Sequence, residues 1–162
     1  MRVALYAGSF DPIHLGHLSV IQRASEAWDE VVVGVLANPD KPRGMFRPEE
    51  RVELVREATR QLGNVRSQQF YGLTVDLARS VGATVLVRAA HKELDAELSM
   101  AETNFRLAGM PTVMIPALAE TRTISSSVVR QLVRSGKLAA ASDLVPPCVG
   151  RAIAGVRSAS AP

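Results

Sequence analysis

Cysteine is almost absent: the chain carries one, Cys148, set beside Pro146 and Pro147. A single thiol makes no disulfide framework and no cysteine-built metal site, and it predicts a reducing, cytoplasmic setting. Aromatic residues are scarce too, seven in 162 positions, and they are not interleaved with basic residues in the way a nucleic-acid-binding face requires. No apolar run approaches the roughly 20 residues that cross a bilayer. The chain enters a strand-like run at Val3 without a basic leader, so neither export nor membrane insertion is expected. Charge of one sign is also lacking. The net +3 is mild, and basic residues sit among acidic ones, as in Glu49-Glu50-Arg51 and Arg56-Glu57. Such a balance gives a nucleic-acid partner little support and suits either a small anionic ligand or an ordinary solvated surface.

Apolar residues, by contrast, make up 47% of the chain, enough for one core in one globular domain. Val3–Ala7, Val31–Leu36, Ala83–Val87 and Thr112–Ile115 are short, largely β-branched runs of the kind buried on both faces of a sheet, and Val65–Phe70 is a weaker fifth. Helical spacing lies between them. Leu18, Ile21, Ala24 and Trp28 share one face; Val52, Val55, Ala58 and Leu62 share another before Gly63; Leu94, Leu98, Ala101 and Phe105 form a third, ended by Gly109 and Pro111. A further helical part runs from about Ser126 through Val149. This alternation predicts an α/β fold with a five-stranded, parallel, doubly wound sheet and C-terminal helices, one domain over 1–156 with a frayed tail at 157–162.

In such a sheet, ligands lie beyond the carboxyl ends of the strands, so the strand-to-helix loops matter most. The first contains Gly8, Ser9, Phe10, Asp11, Pro12, His14, Gly16 and His17; the second, Lys41 and Arg43; the third, Tyr71-Gly72-Leu73-Thr74. Arg88, His91 and Lys92 follow the fourth strand, and Thr121 to Ser127 the fifth. Cations and imidazoles in most of these loops predict an edge that binds phosphates. Gly8 lets the chain leave the strand close to a ligand, and Gly16 opens a helix whose free N–H groups attract anions. Two histidines three apart on that turn can donate to phosphate oxygens as charge shifts onto a departing pyrophosphate. Asp11 is one carboxylate, weak evidence for a metal ligand; a magnesium ion would be held mainly by substrate phosphates and water. The serines also suit a helix N-cap, which is compatible with phosphate binding.

His14-Leu15-Gly16-His17 after Ser9-Phe10-Asp11-Pro12 resembles the first signature of the nucleotidyltransferase superfamily, and Ile124-Ser125-Ser126-Ser127 with Arg130 resembles its second. Across nearly the whole chain the resemblance is to the bacterial phosphopantetheine adenylyltransferases, through Pro39-Asp40-Lys41, Met45-Phe46, Pro48 to Val52, Leu62 to Val65 and Ala83 to Arg88. The resemblance implies a Rossmann-like homohexamer that joins ATP to 4'-phosphopantetheine with Mg²⁺. It implies that Ser9, Lys41 and Arg88 hold the acceptor phosphate, that Leu73, Thr74 and Asn104 line the pantetheine arm, and that His17 stabilises the transition state. Gly8, Ser9, Phe10, His14, Gly16, His17, Glu97, Ile124 and Ser125 to Ser127 would contact ATP.

The chain departs from the family pattern at several points. Arg88-Ala89-Ala90-His91 stands where the family has Arg-Gly-Leu-Arg, leaving the second arginine missing or replaced by His91 or Lys92. Gly72 replaces an Asp, Ala7 a Pro, and the usual aromatic is absent near Thr121 and Arg122. His14 replaces a Thr and so resembles nicotinate-mononucleotide adenylyltransferases. Two alternatives remain: a paralogue with another phosphate-bearing acceptor, and a nucleotide-binding protein without turnover.

Overall fold

A computed structural model describes residues 1–37, 44–90 and 94–158. The elements are β1 (Val3–Gly8), α1 (Leu15–Ala27), β2 (Glu30–Leu36), α2 (Pro48–Ala58), β3 (Val65–Phe70), α3 (Thr74–Ser80), β4 (Val85–Ala90), α4 (Leu94–Ala108), β5 (Thr112–Pro116), α5 (Ser126–Arg134), α6 (Leu138–Ser142) and α7 (Pro147–Ser158). All five strands are parallel, in the order β3-β2-β1-β4-β5. The predicted doubly wound sheet is therefore present. Its central strands β1 and β2 are buried on both faces, which is why they read as unbroken apolar runs. β3 lies at an edge and can keep its polar Arg66, Gln68 and Gln69.

The two faces carry unequal cores. On one, Tyr6, Val31, Val33, Val35 and Val87 pack with Val20, Ile21 and Ala24 of α1, Val55 of α2, Val129 of α5 and Val149 and Ile153 of α7. The other is thinner, with Leu5, Val32 and Leu86 under Leu77 and Ala78 of α3. α3 has no predicted counterpart: seven residues are too few to display a helical period, and the stretch at Leu73-Thr74 is expected only as loop. The single C-terminal helical part resolves into α5, α6 and α7, the last of which runs on to Ser158.

α4 corrects a second expectation. Of its predicted apolar face, Leu98 and Phe105 are exposed, while the helix turns Glu97, Ala101, Asn104 and Ala108 inward; the side chain of Leu94 lies outside the described part. Periodicity locates an apolar stripe but not what covers it. Here the inward side is chosen by a polar contact, described below.

Cys148 lies at the start of α7, 7% exposed, its thiol directed at the Leu54 carbonyl. Burial raises its pKa, and the nearby Glu57 carboxylate adds to the effect. The thiolate is thus suppressed, and thiolates are what react. Native protein at pH 8 is expected to resist a disulfide-exchange reagent for many minutes and to react stoichiometrically once denatured. Rapid labelling of the native protein would contradict the docked position of α7.

Candidate functional site

β1 leads outward to β2 and β3, and the chain then crosses back to β4 on the other side of β1. The carboxyl ends of β1 and β4 therefore flank the topological switch point, where an open α/β sheet leaves a crevice. The chain turns sharply there. Phe10 has φ of +46°, a left-handed conformation costly for a bulky residue and held by its surroundings. Its ring meets Tyr6 edge-on at 5.4 Å and His17 at 4.9 Å. At Gly16 a Cβ would lie 3.0 Å from the His14 ring and from the Thr121 carbonyl, so glycine is what lets α1 start so close to both.

α1 begins with a reciprocal cap made of the two histidines. The His17 N–H donates to His14 Nδ1, and the His14 N–H donates to His17 Nδ1, both at 3.3 Å, with the rings stacked at 3.6 Å. Because each Nδ1 accepts, hydrogen-bond geometry assigns the proton of each neutral ring to Nε2. Each ring can therefore donate from Nε2. His14 is 6% exposed, whereas His17 is half-buried and lines the crevice.

Tyr6, Ala7, Gly8, Phe10, His17, Arg88, Ala89 and Glu97 enclose a cavity of about 110 Å³. Arg88 lies within β4, where pleating directs it toward Glu97 of α4. Its Nε and Nη2 donate to the two carboxylate oxygens at 2.5 and 2.9 Å, and Nη1 donates to the Ala7 carbonyl at 2.9 Å. This bidentate pair is what turns the polar side of α4 inward. A cation at the end of an apolar strand requires an anion nearby; in the structure that anion is Glu97, expected from sequence as an ATP contact. Burial pushes the Tyr6 phenol well above its ordinary range; Arg88 opposes this and Glu97 adds to it. Tyr6 thus remains a neutral phenol.

The second signature joins the first through backbone acceptors. Ser125 caps α5, accepting from the Val128 N–H at 3.3 Å. Ser126 Oγ donates to the Pro12 carbonyl at 2.8 Å, and Arg130 donates to the Asp11 carbonyl at 2.6 Å and to Ser127 Oγ at 3.1 Å. Ile124 packs half-buried on the main core. The turn after β1 and the start of α5 are therefore one rigid unit.

Other predicted residues are placed apart. Ser9 is exposed on the turn; Leu73 is the exposed N-cap of α3 with Thr74 next to it; Asn104 is buried in α4, and none of these lines the cavity. Lys41, His91 and Lys92 lie outside the described residues. Asp11 and Arg51 were missed as partners of the site because residues 40 positions apart in sequence leave no periodic signal. Asp11 accepts the Met45 and Phe46 N–H groups and faces Arg51, so its oxygens are already engaged and fit a metal ligand poorly. Among the described residues no three His, Cys, Asp or Glu side chains gather as a metal site, and no helix is long and apolar enough to cross a membrane. A larger groove of about 600 Å³ between α2 and α7 contains none of the signature residues, and its Glu50, Glu53 and Glu57 are paired with arginines.

Residues 5–132 match the model of the cytidylyltransferase-like family. The phosphopantetheine adenylyltransferase of Corynebacterium diphtheriae is 40% identical over 155 residues, covering 94% of this chain and 96% of that protein. That of Streptomyces coelicolor is 43% identical over 155 residues with the same coverage. Among solved structures, a bifunctional NMN adenylyltransferase/ADP ribose pyrophosphatase from Francisella tularensis superposes with a TM-score of 0.65 at 16% identity, covering 83% of this chain and 42% of that one, a likeness of fold alone.

Proposed function

Because the chain belongs to the cytidylyltransferase-like family and, within it, to the phosphopantetheine adenylyltransferases, we propose that its transfer of AMP from ATP to 4'-phosphopantetheine occurs at the crevice between the ends of β1 and β4. The observation that carries this placement is that His17 and Arg88, from separate elements, line one cavity at the switch point. A volume of about 110 Å³ is well below the roughly 300 Å³ at which pockets enclose whole ligands. It suits phosphate groups, with the remainder of each substrate along the open sheet edge.

No covalent nucleophile is needed. An oxygen of the acceptor phosphate, already ionised at neutral pH, attacks the α-phosphorus of ATP in line; the new P–O bond forms as the bond to the β-phosphate oxygen breaks, and pyrophosphate departs. Positioning and charge neutralisation supply most of the catalysis. In this proposal Ser9, Lys41 and Arg88 hold the acceptor phosphate, and Leu73, Thr74 and Asn104 contact its pantetheine arm. His17 Nε2–H donates to oxygens that gain charge, and the α1 N-terminus reinforces it. ATP lies against Gly8, Phe10, His14, Gly16 and the Ile124 to Ser127 segment, with Glu97 releasing Arg88 as the acceptor arrives. Magnesium would travel on the ATP phosphates, since the described residues fit a protein-held ion poorly.

Assembly and location belong to the same proposal. The exposed Leu98, Met100, Phe105 and Leu107 of α4 supply apolar surface that a second copy would cover, in keeping with a homohexamer, and the lone buried thiol suits the cytoplasm. Light scattering coupled to size exclusion measures the former. The reaction itself is tested by pyrophosphate release with ATP and, in parallel, phosphopantetheine, nicotinate mononucleotide or buffer. Release is expected with phosphopantetheine alone. Release only with nicotinate mononucleotide would establish the paralogue, and none at all the silent nucleotide binder.

A further inference from the structure

We propose that Tyr6 is a further substrate-contacting residue of the transferase site, its phenolic O–H donating to a phosphate oxygen that lies in the crevice between His17 and Arg88. The inference rests on the proposed placement of the reaction at that crevice. Tyr6 is 4% exposed and belongs to the cavity wall together with His17, Arg88 and Glu97. Its ring is held by packing. Phe10 meets it edge-on at 5.4 Å and His17 at 6.3 Å, and Val33 and Val87 lie beside it on the adjoining strands.

The hydroxyl takes no part in that packing. Among the described residues Tyr6 Oη has no hydrogen-bond partner, and only burial and the charges of Arg88 and Glu97 act on it. A buried hydroxyl without a partner costs free energy, and phenylalanine would fill the same space without that cost. Nor is the oxygen sealed in. Among the described residues the one side-chain oxygen or nitrogen both shut away from solvent and unpartnered is Thr112 Oγ1, so Tyr6 Oη opens on the cavity that its ring helps to enclose. Buried phenols normally find a partner. Glu97, the acidic residue of the wall, has both carboxylate oxygens on Arg88 and is not that partner. A cavity of about 110 Å³ bounded by an imidazole and a guanidinium admits a phosphate group, whose anionic oxygens accept from all three side chains. Burial keeps the phenol protonated through the mildly alkaline range, so it remains a donor there. A bond to an ionised acceptor is roughly twice as strong as one between neutral groups.

The test is Tyr6→Phe in the full chain, which deletes the hydroxyl and keeps the ring against Phe10 and His17. Its melting temperature is expected to equal or exceed that of wild type, because no bond within the protein is lost. Its kcat/KM for phosphopantetheine is expected to fall by about 10-fold or more, the effect of one hydrogen bond to a charged group. Dissociation constants for ATP and for phosphopantetheine then identify the phosphate: weaker binding of one assigns the contact to that substrate, and a loss confined to kcat assigns it to charge that develops during transfer. Unchanged kinetics and binding overturn the inference, as does a melting temperature lowered by several degrees, since the hydroxyl would then be holding the fold. An ultraviolet difference spectrum gives a readout independent of turnover. Inorganic phosphate or pyrophosphate added to the wild-type protein is expected to move the tyrosine band to longer wavelength as the phenol donates to an anion, and Tyr6→Phe should show no such shift. Equal spectra in the two proteins with both anions would likewise overturn it. If the wild type gives the shift but transfers no AMP to phosphopantetheine, the acceptor assignment falls and the phosphate contact of Tyr6 stands.

Discussion

Replacing His17 with alanine is expected to lower kcat by on the order of 10² or more while the protein stays folded. The ring is the donor that reaches the crevice from the first turn of α1, and its proton is held on Nε2 by the reciprocal bond to the His14 backbone. Removing one such donor from an electrostatically arranged transfer site typically costs about 2.7–4 kcal/mol of transition-state stabilisation. The effect on folding is smaller. Losing half of a helix cap costs about 0.5–2 kcal/mol, a fraction of the roughly 5–15 kcal/mol that holds a domain together. Pyrophosphate release and a thermal melt measured on the same sample separate the two. Turnover within a few-fold of wild type would remove His17 from the chemistry.

Arg88→Ala is expected to reduce kcat/KM for phosphopantetheine by about 10² or more, equivalent to about 2.7 kcal/mol, and to lower stability as well. Both consequences have one origin. The guanidinium is the described cation facing the cavity wall, and it also neutralises Glu97, whose side chain is only 12% exposed. Without it, a mostly buried carboxylate loses two charge-assisted hydrogen bonds, a loss of the class that costs several kcal/mol. Adding Glu97→Gln should recover part of the melting temperature and none of the acceptor binding, because it removes a carboxylate that has lost its Arg88 hydrogen bonds without supplying a cation. Arg88→Lys is not an adequate substitute, since an ammonium cannot span both Glu97 oxygens and the Ala7 carbonyl in one plane. If Arg88→Ala melts early but retains wild-type kcat/KM, Arg88 is a strut of α4 and no more.

The arginine pair also bears on the departures from the family pattern. Where the family has Arg-Gly-Leu-Arg this chain has Arg88-Ala89-Ala90-His91, and Glu97 of α4 lies within direct reach of Arg88. If Arg88 holds the acceptor phosphate as proposed, this internal anion would compete with it for the same fork. Under the proposed function, acceptor binding would include the release of that pair.

Whatever depends on neighbours within a helical turn or a strand repeat was legible in the sequence itself: the five β-branched runs, the glycine-loosened turn at the end of the first, the three-residue spacing that pairs His14 with His17, and the Ser125 cap. These contacts are local, so spacing alone dictates them. Only the tertiary structure decided which side of α4 faces inward, that Arg88 meets Glu97, and that Asp11 and Arg51 join limbs more than 30 positions apart. A long-range contact depends on where the crossovers return the chain, and burial then selects the one polar arrangement that leaves no charge alone.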